Sequence, residues 1–218
     1  VEEVRVAQKI AVIDYGMGNL RSVAKAIEHV ADNAQVRTTD DPGYIAAADR
    51  VVFPGQGAAR DCMAAIGDHH LNQAILHAAA SKPFLGICMG LQVLMRHSEE
   101  NGGTDLLNLF AGEVKRFDGL AMGDNGLPLK IPHMGWSPVH QLAAHPLWEG
   151  IADQSRFYFV HSYRVVPQDV SVIAATTDYG VRFASAIASD NLFATQFHPE
   201  KSADTGLQLL RNFVNWDI

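Results

Sequence analysis

Cysteine is scarce in this 218-residue chain, with Cys62 and Cys88 its only two. Two cysteines close at most one disulfide, so a stapled scaffold is excluded and any thiol chemistry must run through one of them. Long apolar runs are missing as well. The longest are strand-sized and broken by Gly, Pro or a charge, which excludes a helical membrane span and any membrane partner of that kind. The opening VEEVRVAQ is charged and lacks the apolar centre of a signal peptide. Residues 1–8 therefore read as a short extension, and a cytoplasmic location is expected. A basic stripe is also absent. With 17 Lys and Arg against 24 Asp and Glu, the formal charge is −7, and Lys115-Arg116 is the densest basic pair. That is far short of what a phosphate backbone requires, so no nucleic-acid partner is expected.

What remains is ordinary globular material, 48% hydrophobic and 19% charged, enough for one core over residues 9–218. Buried strands are expected at Lys9–Asp14, Gln35–Thr39, Arg50–Pro54 and Pro83–Cys88. Helical spacing covers Leu20–Val30, Ala58–Ile66, Leu71–Ala80 and Met89–His97. Alternating strands and helices imply parallel pairing, an open sheet covered on both faces. After Asn101-Gly102-Gly103 the pattern turns β-rich: Gly112–Phe117, Leu127–Ile131, Ser155–Val166, Val170–Thr177, Arg182–Ala188 and Asn191–Phe197. A closing helix over Ser202–Trp216 carries the stripe Leu207, Leu210, Phe213 and Val214, with Ser202 or Asp204 as its cap. The expected fold class is α/β, a mostly parallel central sheet with helices on both faces and a β-rich second half.

Chemistry concentrates in three stretches. Gly86-Ile87-Cys88-Met89-Gly90 has the form G-x-C-x-G, a thiol nucleophile elbow in which a strand turns sharply into a helix. The helix start favours a thiolate at Cys88, and the Met89 N–H points where an oxyanion forms. Cys62, inside a helical stretch, reads instead as an apolar filler. A thiol nucleophile needs a histidine, and that histidine needs an orienting group. Gln196-Phe197-His198-Pro199-Glu200 supplies both, because period-two spacing puts His198 and Glu200 on one face of a strand end. Pro54-Gly55-Gln56-Gly57 is a strand-end loop suited to a second oxyanion N–H, from Gln56 or Gly57. Two other patterns are set aside. Gly16-Met17-Gly18 has Arg21 where a dinucleotide fingerprint needs its third glycine, and His69-His70 with His77 lacks partners at metal-ligand spacing. No cofactor and no metal are expected.

The elbow, the later H-P-E and the P-G-x-G loop together resemble the triad-type, class I glutamine amidotransferases. IDYGMGNLRSV (13–23), GICMGLQ (86–92), PHMGW (132–136), FVHSY (159–163) and QFHPEKS (196–202) are similar to one branch, the glutaminase subunits of imidazole glycerol phosphate synthases. The resemblance implies that Cys88 forms a thioester with L-glutamine and releases ammonia, with His198 moving the proton and Glu200 orienting it. It implies glutamine contacts at Gly55, Gly57, Gln92, Glu100, Ser162 and Tyr163, with Glu99 as an alternative to Glu100. It also implies no cofactor and a heterodimer with a (β/α)8-barrel cyclase that receives the ammonia for histidine biosynthesis. Asn19, Arg21, Trp136, Tyr158 and Lys201 match positions that face that partner. Gln56 departs from the family, which more often has valine there.

Two rivals share some of these features. The glutaminase component of anthranilate or aminodeoxychorismate synthase has the same elbow and triad, but PHMGW and Lys201 after H-P-E speak against it. An inactive partner-binding module would have no need of an intact Cys88, His198 and Glu200. The paired glycines of Gly55-Gln56-Gly57 further suggest a peptide that turns inward only when the partner holds its own substrate.

Overall fold

Arg50–Gly55 and Phe84–Cys88 are buried at every position, as befits strands covered on both faces of a parallel sheet. The computed structural model of the chain describes residues 7–118 and 128–218. Its first half runs β1 (Gln8–Ile13), α1 (Leu20–Val30), β2 (Ala34–Thr39), α2 (Pro42–Ala47), β3 (Arg50–Gly55), α3 (Ala59–Asp68), α4 (Asn72–Ser81), β4 (Phe84–Cys88) and α5 (Met89–Gln92). The remainder is β5 (Met95–Ser98), β6 (Thr104–Asp105), β7 (Phe110–Arg116), β8 (His133–Pro138), β9 (His140–Gln141), β10 (Arg156–His161), β11 (Tyr163–Pro167), β12 (Ile173–Tyr179), β13 (Val181–Ser189), β14 (Leu192–Thr195) and α6 (Ala203–Val214).

One eight-stranded sheet, in order β2-β1-β3-β4-β14-β13-β12-β9, organises the molecule. Pairing is parallel from β2 through β14 and antiparallel from β14 outward to β9. β10 and β8 form an antiparallel pair, and β11-β7-β5-β6 a third sheet. Along β1 the side chains alternate, with Ile10 and Val12 entering one core and Ala11 and Ile13 the other. The first core is closed by Val23, Ile27 and Val30 of α1, at i, i+4 and i+7, together with Leu209, Leu210 and Phe213 of α6. The second takes Ile45, Cys62, Ile66 and Ile75 from α2, α3 and α4. β4 lies between β3 and β14, with Gly55 the Cα partner of Cys88 and Thr195 that of Ile87. The segments leaving β3, β4 and β14 thus emerge together at the carboxyl ends of parallel strands, where such sheets build their sites.

Several elements differ from the sequence expectation. Helix after Cys88 stops at Gln92, and β5 begins at Met95 where helix was expected through His97. The carbonyls of Val93, Leu94 and Met95 accept from Leu107, Leu109 and Asn108 N–H at 2.9 Å each, so pairing with a distant segment overrides local propensity. Ser155–Val166 is two strands in two sheets, broken at Ser162, whose carbonyl accepts from Phe117 N–H at 3.1 Å. Of the strand expected at Leu127–Ile131, Leu127 lies outside the described residues, as do residues 1–6 of the extension. Pro128 makes one isolated bridge, and the strand itself starts at His133. Val170–Val172 is a short 3-10 turn ahead of β12. Gln8, assigned to the extension, already pairs with Ala34 in β1. α2 was not expected; Asp41 caps it by accepting from Gly43 N–H at 2.8 Å, with Pro42 opening the first turn.

Candidate active site

Cys88 stands at φ 56° and ψ −104°, the last residue of β4 and the one that caps α5. A non-glycine residue in such a region carries about 1–3 kcal/mol of backbone strain, held in place by its surroundings. Gly90 makes the turn possible, because a Cβ there would lie 1.8 Å from the Phe53 carbonyl oxygen. α5 can therefore rest directly on β3. Met89, its first residue, has no intrahelical acceptor for its N–H.

The H-P-E turn reaches the same point from β14. His198 N–H bonds to Tyr158 O at 2.9 Å, and the Ser202 hydroxyl donates to His198 O at 2.6 Å while accepting Tyr158 N–H at 3.0 Å. Phe197 points the other way and packs against Phe157, the rings tilted by 32° with centroids 4.1 Å apart, so alternation fixes which residues face Cys88. His198 Nδ1 bonds to Glu200 Oε1 at 2.9 Å, and both side chains are buried. Burial alone would lower the His198 pKa. Negative charge and hydrogen bonding at the Cys88 sulfur, followed by the Glu200 carboxylate, more than reverse this and raise it to about 10. With Nδ1 committed to Glu200, Nε2 is the nitrogen left for the sulfur.

A cavity of about 310 Å³ opens over this pair, within the size range of small-molecule sites. Cys88, Met89, His198, Gln56, Gly57, Gln92, Glu100, Ser162 and Tyr163 all line it. Gly55 and Glu200 are the two expected residues behind the wall rather than in it. Gly55 is buried in β3 beside Cys88, and Glu200 backs His198. The structure separates the two neighbouring glutamates. Glu100 faces the cavity, and its Oε2 accepts Ala59 N–H at 2.7 Å, acting as the missing cap of α3. Glu99 turns away to the Arg116 N–H.

Trp136 is 45% exposed and meets its cross-strand neighbour Tyr158 edge-on at 6.1 Å. Lys201 is half-buried in the turn after Glu200, and the start of α1, with Asn19 at its cap and exposed Arg21, packs near the same turn.

Sequence reasoning missed several participants. Gln196 is fully buried and donates to the Cys88 sulfur at 3.8 Å. Its Oε1 accepts from Gln92 Nε2 at 3.2 Å, and Gln92 Nε2 also donates to Tyr163 O at 3.2 Å. Gln196 precedes His198 by two in the segment that leaves β14 at Thr195. Cys62, read as filler, lies within bonding distance of the Gln56 carbonyl at 3.6 Å and of the Tyr15 hydroxyl at 3.9 Å. Burial pushes its thiol pKa up to about 11, so it is a neutral donor to that loop. His161, Pro132 and Val160 also line the cavity.

Comparison with known proteins bears on this geometry. The family model described as "Glutamine amidotransferase class-I" matches residues 11–216. The chain is 61% identical over 209 residues to a protein of Thiobacillus denitrificans named "Imidazole glycerol phosphate synthase subunit HisH", covering 95% of this chain and 91% of that one. It is 57% identical over 210 residues to the protein of the same name from Hydrogenovibrio crunogenus, covering 95% and 96%. Among solved structures, PurLQS from Thermotoga maritima superposes with a TM-score of 0.72 at 16% identity, over 96% of this chain and 98% of that one.

Proposed function

The chain belongs to the class I glutamine amidotransferase family, in the line of the HisH subunits of imidazole glycerol phosphate synthase, and we propose a role for each residue of its site. As a member of that line it is a glutamine-hydrolysing enzyme, the glutaminase subunit that serves histidine biosynthesis. The observation that carries the site assignment is the convergence of strained Cys88, His198 and Glu200 under one cavity.

The Cys88 sulfur attacks the side-chain amide carbon of glutamine, forming the C–S bond. Met89 N–H and an N–H of the Gln56-Gly57 loop receive the charge that develops on oxygen. His198, protonated, passes its Nε2 proton to the departing nitrogen, the C–N bond breaks, and ammonia leaves a glutamyl thioester. Neutral His198 then takes a proton from water as water attacks the thioester; the C–S bond breaks, glutamate leaves after giving its carboxyl proton to solvent, and the thiolate beside protonated His198 is restored. Glu200 holds His198 in the tautomer that keeps Nε2 toward sulfur. Glu100 receives the substrate's amino group. Gln92, Ser162 and Tyr163 hold its amide and carboxylate ends.

Free ammonia at neutral pH becomes ammonium and loses its lone pair, so it must pass directly to a partner. That partner is a (β/α)8-barrel cyclase, docked on the surface carrying Trp136, Tyr158, Lys201, Asn19 and Arg21. Cys88→Ala in the complex tests the assignment. Glutamine-dependent synthesis should fall at least ~10⁴-fold, while synthesis from added ammonium salts persists. Glutamine turnover at the wild-type rate would refute it. The same assay on the free chain, the complex, and the complex with acceptor present locates any switch: equal rates in all three rule out gating at the Gln56-Gly57 loop.

A further inference from the structure

Two buried histidines outside the triad meet beside the cavity, which His161 lines. His133, on β8, is 1% exposed and His161, at the end of β10, is 6% exposed. His133 Nδ1 lies 3.0 Å from His161 Nε2, His161 Nδ1 lies 2.7 Å from Tyr163 O, and His133 Nε2 lies 2.8 Å from Ser137 Oγ.

These three contacts assign every hydrogen. A carbonyl only accepts, so His161 Nδ1 carries its proton. Burial lowers the pKa of His161 to about 3 and that of His133 to about 4, which leaves both rings neutral. His161 Nε2 is then a lone pair, and His133 Nδ1 must be the donor to it. His133 Nε2 is left as the acceptor for the Ser137 hydroxyl. His133 is stacked between Tyr179 and Phe159, with ring centroids 3.9 and 4.8 Å away, and His161 packs against Phe117 and Phe183.

The chain ends on a carbonyl that matters. Tyr163 O also accepts from Gln92 Nε2, whose other hydrogen bonds to Gln196, which in turn reaches the Cys88 sulfur. Tyr163 opens β11, the outer strand of its sheet, one residue beyond the break at Ser162 where the backbone leaves one sheet for another. We infer that His133 and His161 are positioning residues, a hydrogen-bond chain of fixed polarity that sets the Ser162-Tyr163 segment against glutamine. The inference rests on the proposed contact of that segment with glutamine. It gives both histidines a role that mere packing does not.

The tautomers are read first, by long-range ¹H–¹⁵N NMR of the imidazoles in the unmodified chain. Both rings should carry hydrogen on Nδ1; hydrogen on Nε2 of either ring overturns the chain. Steady-state glutaminase kinetics of the chain bound to its cyclase then separate positioning from packing. His161→Leu should raise the KM for glutamine by roughly tenfold with kcat changed less than about threefold, the pattern of lost binding. His161→Asn keeps a donor near the Nδ1 position and should recover most of that loss. His133→Leu should raise KM by about threefold. An unchanged KM in His161→Leu, or an Asn variant no better than Leu, overturns the positioning role. Absence of glutaminase activity in the wild-type complex would instead overturn the parent reading, and a wrong tautomer with that activity intact would overturn the chain alone.

Discussion

Glu200 shows how one side chain sets the chemistry of another. Its carboxylate is buried and touches nothing in the cavity, yet it is one of the causes that keep the His198 proton on up to about pH 10. Glu200→Gln keeps a hydrogen-bonding group and removes the charge. We expect kcat for glutamine to fall by roughly 10–100-fold and the alkaline limb of its pH profile to move to lower pH, because the imidazolium needed by the leaving nitrogen is lost sooner. A pH–rate profile of the complex checks this, and an unmoved limb contradicts it. Cys88→Ala removes the larger raising influence, so the His198 ring should titrate well below about 10 in that variant, as read by NMR. The stability linkage has a definite sign. A histidine whose folded pKa is raised from 6.5 contributes fully below pH 6.5, and that contribution fades as pH climbs through about 10. The triad was legible in the sequence because the elbow glycines and the H-P-E spacing are local marks. The contacts of Gln196 and His161 were not, since their partners lie 108 and 28 residues away.

At the scale of elements, the site depends on how α6 supports the H-P-E turn. Gly206 lies in the first half of α6, and a Cβ there would come 1.9 Å from the Pro199 carbonyl oxygen and 2.8 Å from the Ser202 Cβ. Alanine normally favours a helix interior over glycine by about 1 kcal/mol. Here Gly206→Ala should destabilise the protein by roughly 1–3 kcal/mol, the usual cost of overpacking. It should also lower kcat by displacing His198 and Glu200, although the substitution is outside the cavity. Urea unfolding and glutaminase assays measure the two effects, and a stabilised, fully active variant would refute both. Element reading succeeded where strands are wholly buried, as in β3 and β4, and where helices keep one stripe, as in α1. It failed at Met89–His97, whose apolar residues fit a helix and a buried turn equally well until the segment around Leu107 competes for its carbonyls.

For the whole molecule, parallel order at the start and a β-rich second half were legible from the alternation of helices and its loss after Gly103, but the antiparallel pairing from β14 outward was not. The division of β10 and β11 between two sheets was not, because pairing partners leave no local signature. The buried histidines add a global liability. His133 and His161 are neutral in the fold but take up protons when unfolded, so the unfolded chain binds more protons below pH 6.5. Stability should therefore decline as pH falls from about 6.5 toward 4, at up to about 1.4 kcal/mol per pH unit for each ring. Urea midpoints at about pH 7.5 and about pH 5 check the slope, and equal midpoints would exclude it.

The place of β4 between β3 and β14 also bears on birth rather than catalysis. Cys88 leaves the ribosome with β3 already made, but His198, in the turn after the strand that closes its other side, follows about 110 residues later. At roughly 5–20 residues per second, the nascent thiol waits about 5–20 s without its imidazole. During that interval it is an ordinary cysteine that spends no glutamine. Order of synthesis thus arms the enzyme only when the sheet is ready to close.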